Sequence, residues 1–547
     1  ISGNVDGGGG NNQLDYTEFT GSDADNLVFN PDTGEATAIN GTFTAIDSAI
    51  APNSNPDPNN NPDPNNDPGS ISVLPPDLEI LVRNDISDNP QAVMASKKAQ
   101  DINLSELSNL AVVQDVGESS EAALLKRIDS NFTQDYNSYY GRGLDRGQQS
   151  ASAELGVNLA EVQQTLRTIE ESTGAKPALI YASFFPARID AQSRRNSNIL
   201  PQPDDQLELV TITARGKAIR QQVKGVTRAK VARSTRRFAN GVAGLQPERL
   251  FLPHAQQLYQ WLIEPLKADL TAQEIDNLVF LMDSGLRSVP IAALHDGEQY
   301  LIQEYSVGLM PSISLTDTRY QNINGVDLLA MGSETFPADS TLAPLPAVPV
   351  EIEIITQQLW SGGGSFLDTD FTINNLKRTQ ASRPFGILHL ATHAEFNPGT
   401  PQNSYIQFGD RKLELDKVRE LGLNNPQVEL MVLSACKTAV GDRDAEFGFA
   451  GLAHQAGVKS ALGSLWYISD EGTLSMMSKF YQELKSAPIK AEALRQAQVA
   501  MIEGKVQLKP GKLVTENQTF DLPGSIRAIE LTHPFFWSPY TIVGNPW

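Results

Sequence analysis

The sequence contains two short apolar runs, Gly386-Ile387-Leu388-His389-Leu390-Ala391-Thr392-His393 and Val428-Glu429-Leu430-Met431-Val432-Leu433-Ser434-Ala435-Cys436. Uninterrupted runs of this length are typical of strands that are buried on both faces of a parallel sheet. Each run ends in a reactive side chain, His393 in the first and Cys436 in the second. Because ligands and reactive groups collect at the carboxyl ends of parallel strands, we expect His393 and Cys436 to lie together where two neighbouring central strands end.

These two residues form a candidate nucleophilic dyad. Cys436 is the only cysteine among 547 residues, and a thiol becomes a good nucleophile near neutral pH when a base such as imidazole stands beside it. Taken singly, a Cys on an apolar strand is more often a small buried hydrophobic residue, and a His at a strand end is often only a satisfied polar group. The shared pattern of an apolar strand followed by a reactive residue favours the catalytic interpretation.

Composition sets limits on the class of protein. A chain of 547 residues with 40% hydrophobic residues can form about two to four domains. The net charge of −22 and the pI near 4.7 argue against nucleic acid or an anionic membrane as the main partner. A single cysteine excludes an internal disulfide, and no apolar run reaches the roughly 18 residues that span a bilayer. Because the chain opens at Ile1, we expect a fragment or a processed form.

The N-terminal part differs in composition from the rest. Residues 1–51 are rich in Gly, Asn and Asp, with short β-type pieces such as 26–29 and 41–44. This pattern is typical either of the last coils of a β-solenoid or of a disordered acidic extension. The phrase at 10–20 resembles the repeat tails of large secreted haemagglutinin-like adhesins. Residues 52–70, dense in Pro, Asn and Asp, are predicted to be an extended linker.

The remainder reads as an accessory α/β region at 71–150 and a larger domain at 151–547. A helix is expected at 118–129, with the aromatic-rich residues 132–140 as a candidate continuation. A second helix is expected at 158–173, capped by Asn158. Two strands, 177–185 and 206–213, are predicted to form a hairpin at the edge of a sheet. Strands and helices then alternate up to the C-terminus, which predicts an αβα sandwich with a mainly parallel central sheet.

One segment of this acidic chain is strongly basic. Residues 215–237 contain nine Lys or Arg residues and no acidic residue. A charge run of this kind usually forms a solvated helix face. The functional alternative is an activation loop that is sensitive to proteases.

Several motifs together resemble the CHAT domain, a caspase-like family related to caspases, separases and gingipains. They occur in the family's order: Ala292-Ala293-Leu294-His295-Asp296-Gly297, Leu388-His389-Leu390-Ala391-Thr392-His393, Leu433-Ser434-Ala435-Cys436-Lys437-Thr438, Gly463-Ser464-Leu465-Trp466 with Asp470, and His533-Pro534-Phe535-Phe536-Trp537. The resemblance extends over about 151–547. It implies a caspase-like αβα sandwich and a clan CD cysteine endopeptidase.

The resemblance also implies roles for single residues. Cys436 attacks the scissile carbonyl, and His393 handles the proton of the leaving amine. The backbone amides of Ala394 and Cys436 form the oxyanion hole, although related peptidases often carry Gly where Ala394 stands. Asp470 lies near the pocket for the residue before the cut and selects Arg or Lys; the alternative is that it only caps a helix beginning near Gly472. With a basic preference, segment 215–237 becomes a candidate site of self-cleavage.

The other histidines have structural interpretations. His389 lies four residues before His393 on the same strand and is expected deeper in the core. His254, His295, His454 and His533 are expected in helices, turns and packing contacts. No cluster has the spacing of a metal site, and no cofactor is expected.

A second class of function stays open, namely an inactive caspase-like scaffold of a surface adhesin. For the enzyme, the expected partner is a protein or peptide substrate, and a regulatory protein or a region of a parent chain is a further candidate. Neither nucleic acid nor membrane insertion is expected. The Gly-rich start and the linker favour an extracellular or cell-surface location over a cytoplasmic one.

Overall fold

The structure is a computed structural model of the chain. It describes residues 120–141, 157–186, 201–336, 342–360, 363–438 and 442–547, and the backbone of four short strands before residue 45. The side chains of those four strands, of residue 120 and of residues 435–438 are not described. The chain divides into two compact units, residues 1–88 and residues 89–547.

In the first unit, the described backbone forms a small four-stranded sheet in the order β1-β4-β3-β2. Its strands are β1 Val5–Asp6, β2 Val28–Asn30, β3 Glu35–Ala38 and β4 Gly41–Thr44. β4 coincides with the β-type piece predicted at 41–44, and β2 overlaps the one at 26–29. The predicted linker at 52–70 and the accessory region before Ser120 lie outside the described residues.

The second unit alternates strands and helices along the chain. Its larger elements up to the middle are α1 Ser120–Tyr140, α2 Leu159–Thr173, β5 Pro177–Phe185, β6 Gln206–Thr213, β7 Ile219–Thr227, α3 Arg228–Ala243, α4 Glu248–Leu262, α5 Lys267–Ala272, β8 Asn277–Met282, α6 Leu301–Glu304 and β9 Ser306–Leu309. They are followed by β10 Leu328–Gly332, α7 Val348–Glu353, β11 Gly364–Leu367, α8 Ile373–Ser382, β12 Ile387–Phe396, β13 Tyr405–Gln407, β14 Lys412–Glu414 and β15 Leu430–Thr438. The last part contains α9 Arg443–Ala450, α10 Leu452–Ala456, β16 Ser460–Ser464, α11 Asp470–Leu484, α12 Lys490–Ile502, β17 Gln507–Lys509, β18 Lys512–Val514, β19 Thr519–Asp521, α13 Pro534–Trp537 and β20 Tyr540–Gly544.

A 13-stranded sheet forms the centre of this unit, with the main order β11-β10-β12-β15-β16-β20-β9-β8-β5-β6-β7. Strands β11, β10, β12, β15 and β16 are parallel to one another, and so are β20, β9, β8 and β5. The two parallel sets meet at an antiparallel pair, β16 and β20. The predicted mixed α/β fold with a mainly parallel sheet is therefore confirmed.

Burial explains why the central strands are apolar throughout. All six residues of β8 are buried, and so are all residues of β12 except Glu395. Because successive side chains of a strand point to opposite faces, both faces of the sheet must be covered. On one face, α7 and α11 contact β12 through Glu351 and Tyr481, which both bond to His389.

The early helices belong to the same unit as the central sheet. The helix predicted at 158–173 is α2, and the Asn158 side chain accepts the amide of Ala160 as the predicted cap. The helix predicted at 118–129 lies in α1, which also includes the candidate continuation at 132–140 and packs against α9. The Tyr140 hydroxyl donates to the carbonyl oxygens of Phe447 and Gly448, at 3.2 and 3.4 Å.

The predicted hairpin of β5 and β6 has the expected bounds and pairing. It is not the edge of the sheet, however, because β7 pairs with β6 on the outer side. β7 and α3 take up most of the basic segment 215–237. The interpretation of that segment as an activation loop is therefore wrong, since its backbone is mostly in regular hydrogen-bonded structure.

Candidate active site

The strands that carry His393 and Cys436 are neighbours in the sheet. β12 and β15 pair in parallel, with His393 opposite Ala435 and Ala394 opposite Cys436. Adjacent strands lie about 5 Å apart, so the backbones of His393 and Cys436 are separated by one strand spacing and one residue of stagger. The predicted proximity of the two strands is confirmed at the level of the backbone.

The sequence interpretation expected the two strands to end at His393 and Cys436, but both strands continue beyond them. β12 continues to Phe396 and β15 to Thr438. The register shifts between Leu390 and His393, where β12 has one residue more than β15. A bulge of this kind re-aims the side chains that follow it and often lies near an active site.

The imidazole of His393 is held from several sides. Its Nε2 atom donates to the carbonyl oxygen of Ala343 at 2.8 Å. The ring of Phe336 lies 4.9 Å away between centroids, and the ring of Tyr467 stacks at 5.9 Å. The side chain is buried. These contacts restrict the ring to one orientation.

The hydrogen bond to Ala343 also selects the tautomer. A carbonyl oxygen only accepts, so Nε2 must carry a proton. In the neutral ring, Nδ1 is then the basic nitrogen. Nδ1 is therefore the atom of His393 that would exchange a proton with a nucleophile.

Asp470 follows β16, and its side chain is hydrogen bonded to the segment that contains Ala343. One of its carboxylate oxygens accepts the backbone amide of Ala347, four residues after Ala343. The pKa of Asp470 is raised to about 7, mainly by burial and also by the carboxylates of Glu351, Glu471 and Glu334, although the bond from Ala347 lowers it. The helix α11 is capped by Ser469, whose hydroxyl accepts the amide of Gly472. The interpretation of Asp470 as the helix cap is therefore wrong.

The site collects residues that lie on or just after four parallel strands. Phe336 and Glu334 follow β10, His393 is on β12, Cys436 is on β15, and Tyr467 and Asp470 follow β16. Sequence reasoning identified His393, Cys436 and Asp470 but missed Phe336, Tyr467 and the carbonyl of Ala343. No local pattern identifies these contacts, because Ala343 lies 50 residues from His393 in the chain.

Ala394 occupies an ordinary extended position. It pairs with Cys436 of β15 on one side and with Ile406 of β13 on the other. It is absent from the described non-glycine residues with positive φ, so the backbone places no strain on an Ala in place of the Gly of related peptidases. Its role as an oxyanion donor stays a prediction.

His389 lies deeper in the fold, as its position on the strand predicted. It is fully buried, its Nε2 atom lies 2.8 Å from Oε1 of Glu351, and its Nδ1 atom lies 3.2 Å from the Tyr481 hydroxyl. Burial raises the pKa of Tyr481 well above its usual value, and the Glu351 carboxylate adds to the effect. This network holds α7 and α11 on β12 beneath the candidate site.

The remaining histidines make structural contacts. His254 lies inside α4, His295 accepts the amide of Gly297 in a turn, His454 bonds to the carbonyl of Leu315, and His533 bonds to that of Gln246. Among the described residues, no group of three or more His, Cys, Asp and Glu side chains could hold a metal ion. No helix in the same residues is long and apolar enough to cross a membrane.

A model of the CHAT domain family matches residues 252–545, which is more than half of the chain. The chain belongs to the CHAT domain family. The matched region of this CHAT protein begins after β5, β6 and β7, yet those strands complete the same central sheet. No curated protein matches the chain in sequence.

Solved structures similar to this CHAT protein include a separase and gingipain R. The separase of Saccharomyces cerevisiae, solved with securin, matches at 8% identity with a TM-score of 0.47, over 86% of this chain and 37% of that chain. Gingipain R (RgpB) matches at 13% identity with a TM-score of 0.32, over 58% of this chain and 73% of that chain. The RgpB of Porphyromonas gingivalis with its pro-domain matches at 13% identity with a TM-score of 0.33, over 58% of this chain and 75% of that chain. The chain thus spans little more than a third of the separase.

Proposed function

We propose that this CHAT protein is a cysteine endopeptidase that uses Cys436 as the nucleophile and His393 as its acid and base. The observation that carries the proposal is the pairing of β12 with β15, with His393 held by Ala343 beside the backbone of Cys436. Membership of a caspase-like family supports the same reaction class.

The chemistry follows from the tautomer of His393. Nδ1 takes the proton of the Cys436 thiol, and the thiolate attacks the carbonyl carbon of the scissile bond. The Nδ1 proton then passes to the leaving amine as the C–N bond breaks, which leaves a thioester on Cys436. Water gives one proton to Nδ1 and attacks the thioester, and the carboxylic product leaves as the thiol is restored. The amides of Ala394 and Cys436 would stabilise the oxyanion of both tetrahedral intermediates.

For specificity, we propose that Asp470 receives a basic residue before the cut. Asp470 is half-buried, and a carboxylate near other carboxylates is stabilised by an incoming cation, since the cation pairs with it and offsets the repulsion. The raised pKa of Asp470 and the neighbouring Glu334, Glu351 and Glu471 support this assignment. Arg fits better than Lys, because its planar fork can bond a carboxylate through two N–H groups.

Self-processing is a further part of the proposal. Segment 215–237 offers basic residues, but cleavage inside β7 or α3 requires local unfolding, because a peptidase binds an extended chain. We therefore expect cleavage there to be slow, and to speed up when the edge of the sheet is destabilised.

The test is cleavage of a mixed peptide library by the purified protein, compared with Cys436→Ala and His393→Gln, with products read by mass spectrometry. Cuts that occur only with the unmodified protein would support the dyad. Absence of cleavage by all three proteins would favour the scaffold of a surface adhesin, for which binding of surface partners is the next assay.

We also propose a location at the cell surface or outside the cell, with the cytoplasm as the alternative. Immunoblots of the medium, the surface fraction and the cytosol of the native organism separate the two.

A further inference from the structure

Residues 215–237, which include the last described strand of the central sheet and the helix after it, carry a basic surface. Eight of its nine basic side chains are exposed, namely Arg215, Lys217, Arg220, Lys224, Lys230, Arg233, Arg236 and Arg237. They are carried by β7, which ends at Thr227, and by α3, which begins at Arg228. The chain as a whole has a net charge of −22, so the charge of this surface is opposite in sign to that of the whole chain.

Only three of the nine basic side chains form ion pairs with the described residues. Arg228 bonds to Asp283 at 3.0 Å and lies over the ring of Phe184, so it is structural. Arg215 pairs with Glu170 at 3.1 Å, and Arg220 pairs with Glu208. The other six side chains form no ion pair with the described residues: Lys217, Lys224, Lys230, Arg233, Arg236 and Arg237.

The basic side chains on α3 do not stabilise the helix itself. Arg233 lies three residues from Lys230 and four from Arg237, so like charges face one another on the same side of the helix, which is destabilising. The first turn contains Arg228 and Lys230 and no acidic residue, although the amino end of a helix favours negative charge. A bound group of opposite charge would remove both penalties.

Protection of the sheet edge accounts for only some of these residues. Lysine and arginine on an edge strand discourage pairing with other chains, and this reason covers Arg220 and Lys224 on β7. It does not apply to Lys230, Arg233 and Arg237, which lie on the following helix. The helix face therefore calls for a different explanation.

The chemistry of the surface fits an acidic polypeptide better than a nucleic acid. Phe238, the aromatic residue of α3, is buried, so the helix offers no ring on which a base could stack. The net charge of the chain opposes a long polyanion such as DNA or RNA. In contrast, β7 is the last strand of its sheet among the residues that the structure describes, and an extended peptide can bond to the outer edge of such a strand.

We propose that the basic surface of β7 and α3 is a docking site for an acidic, extended segment of a protein partner. In the sheet order, β7 is seven strands from β15, which corresponds to roughly 34 Å at the usual strand spacing. A partner held there leaves the candidate active site uncovered. The site would recruit proteins that carry an acidic stretch at a distance from the segment that reaches Cys436. The docking itself does not depend on peptidase activity.

The test measures binding of a short fluorescein-labelled peptide of alternating Glu and Thr by fluorescence anisotropy with the full chain. The variant is Arg233→Glu with Arg237→Glu on α3. The matched control is Lys377→Glu with Arg378→Glu, which changes the net charge equally on the exposed side of α8. A single-stranded oligonucleotide of equal charge is the competing probe, and Arg233→Gln with Arg237→Gln is the milder variant if the first does not fold.

We expect the α3 variant to bind the acidic peptide at least about tenfold more weakly, the α8 control within about twofold of the unmodified chain, and the affinity to fall between about 0.1 M and 0.5 M salt. Equal losses in the two variants would show that net charge alone is responsible and would overturn the site. Tighter binding of the oligonucleotide than of the peptide, or absence of peptide binding at low salt, would overturn the proposal as well.

Discussion

The Nε2 atom of His393 lies 2.8 Å from the carbonyl oxygen of Ala343. Four residues later, the amide of Ala347 donates to Asp470, so the segment 343–347 bonds at one end to the proposed base and at the other to the proposed specificity carboxylate. If substrate binds at Asp470 as proposed, its binding and the orientation of His393 are linked through a few residues of backbone. Rigid positioning of this kind contributes to rate because the reacting groups need not be ordered during the reaction.

Phe336 contacts the imidazole that this segment orients. The substitution Phe336→Ala removes a ring 4.9 Å from that of His393, and we expect kcat to fall about tenfold with KM little changed, because the base gains orientational freedom. Steady-state kinetics on the best peptide of the library measures both constants. Leu250→Ala, at a side chain that is 39% exposed on α4, is the control. An equal fall for both variants would contradict a positioning role for Phe336.

Asp470→Asn tests the proposed preference for basic residues. We expect kcat/KM for a peptide with Arg before the cut to fall roughly a hundredfold, because the cation loses its partner, while a peptide with a neutral residue there changes little. Asp327→Asn, which removes a carboxylate paired with Arg383 elsewhere, is the control. If the two peptides lose activity equally, Asp470 acts on the dyad and not on selection.

The pH dependence of that preference follows from the pKa of Asp470, which is about 7 without substrate. As pH falls through 7, the carboxylate takes up a proton and can no longer pair with a cation. We therefore expect the ratio of kcat/KM for the Arg peptide to that for the neutral peptide to decline as pH falls through this range. Taking the ratio cancels the titration of the dyad. A ratio that stays constant with pH would argue against a charged Asp470 in selection.

The charged carboxylate of Asp470 should lower the free energy of unfolding. Because the pKa of Asp470 is higher in the folded protein than its ordinary value of 3.8, its contribution favours folding below that value and is lost as pH rises through 7. Asp470→Asn should therefore raise the free energy of unfolding by roughly 1–3 kcal/mol at about pH 8 and leave it nearly unchanged at about pH 4. Urea unfolding at the two pH values measures this. A less stable variant at the higher pH would show that the charge is better solvated than its burial indicates.

Gly332 ends β10 just before the loop that carries Glu334 and Phe336. A Cβ there would lie 2.5 Å from the carbonyl oxygen of Ala391 and 2.8 Å from a methyl group of Val348. Gly332→Ala should therefore lower the free energy of unfolding by about 2–3 kcal/mol, since backbone atoms must move. Gly524→Ala is the matched control, because a Cβ at that position meets nothing within 4 Å. Thermal unfolding of both variants is the measurement, and similar melting temperatures would refute the predicted clash.

The sequence by itself determined the class of fold and the pair of strands at its centre. Continuous apolar runs such as 386–393 and 428–436 have few ways to bury both faces other than as inner strands of a sheet. The bounds of β5, β6 and α2 were also predictable, because local signals such as alternation, length and the Asn158 cap act within a few residues. Segment 215–237 was misread in part, since charge alone does not distinguish a loop from an edge strand and a helix.

Only the tertiary structure decided how the site is assembled. The bond from His393 to Ala343 joins residues 50 positions apart, and that from Ala347 to Asp470 joins residues 123 positions apart. The bulge in β12 and the capping of α11 by Ser469 instead of Asp470 likewise depend on which elements pack together. Contacts of this kind involve backbone atoms and shared burial, which leave no pattern of residue types along the chain. They could not be predicted from the sequence because they exist only after the strands have paired.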